Sequence, residues 1–322
     1  MKRMRRTTRR RLTFLLVLVI ITAAVLLLLG IGPDWVQDLR SKIIPTQITE
    51  KIDTTVDRMK DSDGLKRLQN IYEEYTSGNS AGSVSIVSDQ VSGMEIPKYV
   101  SGHQVVAHEG YTLSYNEQYE QPDWVAYVLT EEELNANNTS RTEDFREDPA
   151  ITTGSAHLDD YRNSGYDRGH LCPSADRTAT VSENSETFYL SNMSPQVHRF
   201  NAGLWLKAEG AVRDAARQYG TLYVVTGPVF SENMKTIGSC EVAVPGQFYK
   251  VLLASDGKGG WTAIGLVCPQ EYEQGNLKPY LCSVNDVEKL TGLDFFPSLD
   301  DSIEEKVEGS YSISNWPTVF GK

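Results

Sequence analysis

Tyr166-Asp167-Arg168-Gly169-His170-Leu171 is the stretch on which the reading of this chain turns. Its charged residues and histidine interrupt an otherwise strand-like passage. Downstream come Tyr189-Leu190-Ser191-Asn192-Met193-Ser194-Pro195-Gln196 and then Phe200-Asn201-Ala202-Gly203-Leu204-Trp205-Leu206-Lys207-Ala208-Glu209. Asn201, Trp205, Glu209 and Arg213 are spaced four apart. In an α-helix that spacing advances about 40° per step, so the four form one slowly turning face with Asn201 in the first turn. A strand bearing a histidine, a second strand, and a helix bearing an amide and a carboxylate can frame a divalent metal.

Outward from this segment, β-branched and aromatic residues predict strands at Tyr111–Tyr115, Trp124–Leu129, Leu222–Val225 and Phe248–Ala254. Helical periodicity predicts helices at Asn201–Gln218 and Val284–Thr291. No internal repeat is present, and the alternation implies one mixed domain over residues 96–322. Residues 33–95 read as a stalk, ending in the small-polar run Ser77-Gly78-Asn79-Ser80-Ala81-Gly82-Ser83. Residues 1–11 form a basic tail expected in the cytoplasm. Residues 12–32 are expected to be an uncleaved transmembrane signal anchor, since Leu12–Ile31 carries no charge and about 20 helical residues span a bilayer core. The positive-inside tendency then exports the C-terminal domain to the periplasmic or extracellular side.

Charge narrows the function. Seven of the 31 Lys and Arg residues precede Leu12, so residues 13–322 carry 24 basic against 43 acidic groups. Such a body does not attract polyanions in bulk, and any nucleic-acid chemistry must use a local basic cluster and a metal. The cysteines Cys172, Cys240, Cys268 and Cys282 lack zinc-site spacing, and in an oxidising compartment their even number permits two disulfides in any of three pairings.

The segment resembles the DNA/RNA non-specific endonuclease family, which includes secreted sugar-non-specific nucleases and mitochondrial endonuclease G and carries an Asp-Arg-Gly-His signature. The likeness extends to Trp124-Val125-Ala126-Tyr127, Val225-Thr226-Gly227-Pro228 and Leu290-Thr291-Gly292-Leu293. The resemblance implies an α+β fold: a central antiparallel sheet flanked by helices, with a ββα-metal motif. It also implies DNA and RNA as substrates and Mg2+ as cofactor, with Mn2+ or another divalent cation substituting. Position by position, His170 matches the general base and Asn201 the metal ligand. Glu209 matches a carboxylate holding metal-bound water, and Arg168 and Arg213 match phosphate contacts. Asn192 and Gln196 fall on polar, substrate-lining positions. For a further upstream arginine the loop offers Arg141 and Arg146, with Arg141 preferred.

The residue types suit the chemistry. Imidazole, with an ordinary pKa near 6.5, can accept a proton from water at neutral pH. Magnesium favours oxygen donors and retains waters, which an asparagine oxygen accommodates. Arginine forks match phosphate, and contacts to the backbone carry no sequence preference. Against this stand plainer roles. His103, His108, His157 and His198 are expected to be structural, Trp205 to be core, and Asn201 can serve as a helix N-cap. Arg168 can pair with Asp167, and Glu131-Glu132-Glu133 reads as a solvated face. A binding protein without catalysis, or a phosphodiesterase for small esters, are the rival functions.

Overall fold

In strand β9 (Gln247–Ser255), Phe248, Leu252 and Ala254 face one side while Tyr249, Val251 and Leu253 face the other. Apolar residues on both sides mean a strand covered above and below. The computed structural model describes residues 93–98, 102–271 and 275–320 and places β9 inside a seven-stranded sheet. Its order is β1 (Gln104–Ala107), β2 (Thr112–Asn116), β3 (Gln121–Thr130), β6 (Thr221–Val229), β9, β10 (Trp261–Pro269) and β11 (Leu281–Cys282). Every neighbouring pair is antiparallel. Four predicted strands lie in β2, β3, β6 and β9. The mixed α+β architecture with a central antiparallel sheet therefore stands.

Helix α1 (Glu131–Ala136) begins at a capping box: Thr130 Oγ1 accepts from the Glu133 amide at 3.1 Å, and Glu133 Oε2 accepts from the Thr130 amide at 2.8 Å. The acidic triplet thus starts a helix, where its charge also favours the dipole. Helix α2 (Leu206–Tyr219) packs on one face of the sheet, burying Ala208, Val212, Ala215 and Ala216, and ends at Gly220 with φ +77°. The opposite face is covered by α3 (Val284–Thr291), whose bounds match the sequence expectation, and α4 (Asp301–Glu308).

Two departures matter. The expected helix Asn201–Gln218 is not uniform: a turn at His198–Phe200 leads into a wide π-type turn over Asn201–Trp205 before α2 begins. Asn201 therefore lies inside a continuous helical run and is not its N-cap. The π-type turn also shifts the phase between Asn201 and the Trp205, Glu209, Arg213 stripe. Secondly, all four cysteines are free thiols, each pushed up to about 12 by burial, so none of the permitted disulfides forms. No described helix is long and apolar enough to cross a membrane; the basic tail, the segment 12–32 and nearly all of the stalk lie outside the described residues.

Candidate active site

The signature forms β4 (Asp167–His170), a short strand paired antiparallel with β5 (Met193–Gln196) in the register Asp167↔Gln196 to His170↔Met193. Alternation sends Arg168 and His170 to one face, and Asp167 and Gly169 to the other. A Cβ at Gly169 would overlap the side chain of Gln196, which explains the glycine in the motif.

Side-chain hydrogen bonds from Asn192 and Trp205 fix the end of β4. Asn192 Oδ1 accepts from the Cys172 amide at 2.9 Å, and its Nδ2 donates to the carbonyls of Cys172 at 2.9 Å and Thr187 at 2.8 Å. The Trp205 indole N–H donates to the His170 carbonyl at 3.0 Å. Asn192 is wholly buried and its amide is committed to backbone, so the expected substrate contact is corrected to a brace under the site. Gln196 is likewise fully buried, with both amide atoms unpartnered, and presents no surface to a polymer.

His170 is 8% exposed, and its Nε2 is buried without a hydrogen-bond partner. Phe188 meets the imidazole edge-on at 5.0 Å between centroids and Phe145 at 5.7 Å. Burial first, then the nearby Arg141 and Arg168 charges, push the imidazole down to about 3. It is held neutral, as a proton acceptor must be.

Arg141 donates to Ser174 Oγ at 2.9 Å, lies over the Phe188 ring at 4.8 Å, and is close enough to act electrostatically on both His170 and Glu209. Arg141 also pairs with Glu143 at 3.3 Å, while Arg146 pairs with Asp144 at 2.6 Å and stacks on Tyr189 at 4.1 Å. Arg168 is exposed and does not pair with Asp167. Among the described residues its side chain has no hydrogen bond or ion pair, and its guanidinium carbon sits 3.9 Å from the centroid of Phe145. Arg213 is anchored at 2.9 Å by Asp176, a fully buried carboxylate that also accepts from Tyr127 Oη at 2.9 Å.

Asp167 Oδ2 accepts from Asn201 Nδ2 at 2.9 Å and is 2.8 Å from His198 Nδ1. Holding the amide nitrogen leaves Asn201 Oδ1 as the outward donor. Glu209, half-buried one helix face along, is pushed up to about 7 by burial, with Lys250 opposing. Among the described residues no three His, Cys, Asp or Glu side chains gather tightly enough to cage a metal. One oriented amide oxygen and a nearby carboxylate fit a hard divalent cation that keeps most of its water, and not a zinc cage.

Sequence reasoning missed several members of this site. Asp176 is separated from its partner Arg213 by 37 positions, with no spacing to reveal it. Lys250 had a signal: it is a lysine at a core-facing position of an apolar strand. It is fully buried, with Nζ 4.1 Å from the Trp205 ring centroid and 3.3 Å from Thr226 Oγ1. The four histidines expected to be structural each rest on a carboxylate: His103 on Asp123, His108 on Asp148, His157 on Glu147 and His198 on Asp167.

Residues 92–302 match the family model described as DNA/RNA non-specific endonuclease. A nuclease of Nostoc sp. (strain PCC 7120 / SAG 25.82 / UTEX 2576) is 34% identical over 241 residues, covering 70% of this chain and 86% of that protein. Human mitochondrial endonuclease G is 34% identical over 209 residues, covering 61% and 70%. A crystal structure of an EndoG/EndoGI complex, described as showing the mechanism of EndoG inhibition, superposes with a TM-score of 0.60 at 29% identity, covering 70% of this chain and 96% of that one. Fold and relatives together define a nuclease. The chain belongs to the DNA/RNA non-specific endonuclease family, a divalent-metal-dependent family, and is an endonuclease hydrolysing phosphodiester bonds of DNA and RNA.

Proposed function

We propose that His170 is the general base of this endonuclease and that Asn201 and Glu209 serve a magnesium ion beside it. The observation that carries the reading is the buried, neutral imidazole with an unpartnered Nε2, flanked by Arg141 and Arg168. Nε2 takes the proton of a water attacking phosphorus in line with the leaving oxygen. Arg168, Arg141 and Arg213 present guanidinium forks to the phosphoryl oxygens, where charge grows in the transition state. Asp176 holds Arg213 at the right depth, and Asp167 aims the Asn201 oxygen. Glu209 accepts hydrogen bonds from water near that oxygen. Asn201 would hold the cation, which would supply positive charge to offset the negative charge developing in the transition state. These contacts address phosphate, so cleavage ignores base sequence.

We further propose that residues 12–32 anchor the enzyme in the membrane, with its C-terminal domain exported. Support comes from the uncharged Leu12–Ile31 stretch and the seven basic residues before it. Protease added to intact spheroplasts should digest the domain, and full protection would reverse the orientation.

The catalytic reading is tested by incubating the full chain with supercoiled plasmid and with RNA, with magnesium and with chelator. Both polymers should be cut with magnesium, cutting should stop in chelator, and His170→Ala should be inactive in either case. Plasmid nicking by His170→Ala at the wild-type rate would remove the general base.

A further inference from the structure

We propose that Phe145 is a positioning residue that holds the Arg168 guanidinium for the scissile phosphate, an inference resting on the phosphate role given to Arg168 above. The loop bearing Arg141 and Phe145 reaches over β4, and Phe145 divides its surface between two tasks. Part of the ring packs on the small cluster of Leu190, Met193, Ile237 and Val242. Its face lies 3.9 Å from the Arg168 guanidinium carbon, within the range of a cation–π contact.

Nothing else among the described residues fixes that guanidinium by a hydrogen bond or ion pair. In this state every N–H donor of Arg168 stays available for substrate phosphate. A carboxylate partner would hold the side chain but consume its donors. An aromatic face holds it and consumes none, and guanidinium, planar and weakly hydrated, is suited to lying on one. Ordering the side chain beforehand removes an entropy cost that binding would otherwise bear.

A second ring–guanidinium contact lies beside that of Arg168, on an arginine that also donates to Ser174 Oγ at 2.9 Å and pairs with Glu143 at 3.3 Å. Phe188 sits under Arg141 at 4.8 Å, and Phe145, Phe188 and His170 meet edge-to-face in a triangle with centroid separations of 4.9, 5.0 and 5.7 Å. The aromatic pair therefore ties two arginines and the imidazole into one unit. Displacing one ring shifts the phosphate contacts relative to the base.

A purely structural phenylalanine would affect stability alone, so the test reads catalysis at matched folding. Plasmid-nicking kinetics are measured on the full chain for Phe145→Leu, Phe145→Tyr, Arg168→Met and Phe145→Leu with Arg168→Met. We expect Arg168→Met to lower kcat/KM by about a hundredfold and Phe145→Leu by about tenfold, while Phe145→Tyr, which keeps the ring, stays within about threefold of wild type. The double variant should be no more than about threefold below Arg168→Met, since the ring has lost its main client. Should Phe145→Leu fail to fold, fluorinated phenylalanine at position 145 keeps the shape and drains charge from the ring face; it should lower kcat/KM at unchanged melting temperature. Multiplying losses in the double variant, or a wild-type rate for Phe145→Leu or for the fluorinated protein, would overturn the role of Phe145 and leave that of Arg168 standing. A wild-type rate for Arg168→Met would overturn both.

Discussion

The indole N–H of Trp205 donates to the carbonyl oxygen of His170 across 3.0 Å, so the helical run bearing Asn201 and Glu209 is hydrogen-bonded to the strand bearing His170. Trp205 is fully buried and stacks near Phe200 and Phe248, so its bond is set in a rigid apolar frame. Trp205→Phe keeps much of the packing and removes the donor. We expect a stability loss of about 1–3 kcal/mol in denaturant titration. Turnover should fall by roughly tenfold, as misplacement at a catalytic centre commonly does. An unchanged kcat would mean the bond does not set the site's geometry.

The pH response follows from burial of His170. Its folded pKa, about 3, lies below the ordinary 6.5 of the unfolded chain. The unfolded state therefore binds more protons between these values, and this group's contribution to stability is lost as pH falls from 6.5 towards 3. In the metal-free protein the His170 ring resonances should not move between pH 8 and about 4. His103 should behave oppositely, since its hydrogen bond to Asp123 raises its pKa above the usual imidazole range. NMR titration, with assignments from His→Ala variants, distinguishes the two. A His170 midpoint near 6.5 would contradict the buried-base geometry.

Glu308, at the end of α4, is 5% exposed with Oε1 unpartnered. Burial, then Glu288, Glu304 and Asp294 around it, push the carboxyl up to about 8. Raised above its unfolded value, this group confers stability that is present at low pH and lost as pH climbs from about 4.5 through 8. Glu308→Gln should therefore match wild type near pH 5 and melt several degrees higher at pH 9, in calorimetry across that range. Parallel melting curves at all pH values would show that the carboxyl is not protonated in the folded state.

Much of this site was legible because its chemistry is local in sequence. Asp167, Arg168 and His170 share one four-residue strand, while Asn201, Glu209 and Arg213 share one helical run. Residues that act across the fold gave no such signal. Asp176 gains its role only once the segment after β4 meets Arg213 of α2 and Tyr127 of β3, and no motif or spacing marks Phe145 and Phe188 as partners of the arginines. The π-type turn at Asn201–Trp205 is a tertiary adjustment that a four-residue spacing does not reveal, since it shifts the phase only within that one turn. Asn192 is the opposite case: the family resemblance placed it on a substrate-lining position, while burial commits its amide to the backbone. The cysteine count allowed disulfides that do not form: all four thiols are free.

The last prediction separates the cation ligand from the base. Asp167 holds the Asn201 amide nitrogen, which commits the oxygen to outward donation. If that oxygen is one ligand among several, mostly water, then Asn201→Ala should lower affinity for magnesium without abolishing the reaction, and raising magnesium should recover part of the rate. If His170 is the base, His170→Ala should lose on the order of 10²–10⁴-fold in kcat at every magnesium concentration, since a proton transfer made in the transition state is not replaced by a cation. Asp167→Asn should resemble a mild Asn201 variant, since an amide there can accept only through its oxygen and no longer draws the Asn201 nitrogen by charge. Plasmid-nicking rates against magnesium concentration for the three variants decide the matter. Rescue of His170→Ala by magnesium, or a magnesium requirement unchanged in Asn201→Ala, would exchange or remove the roles assigned to these two residues.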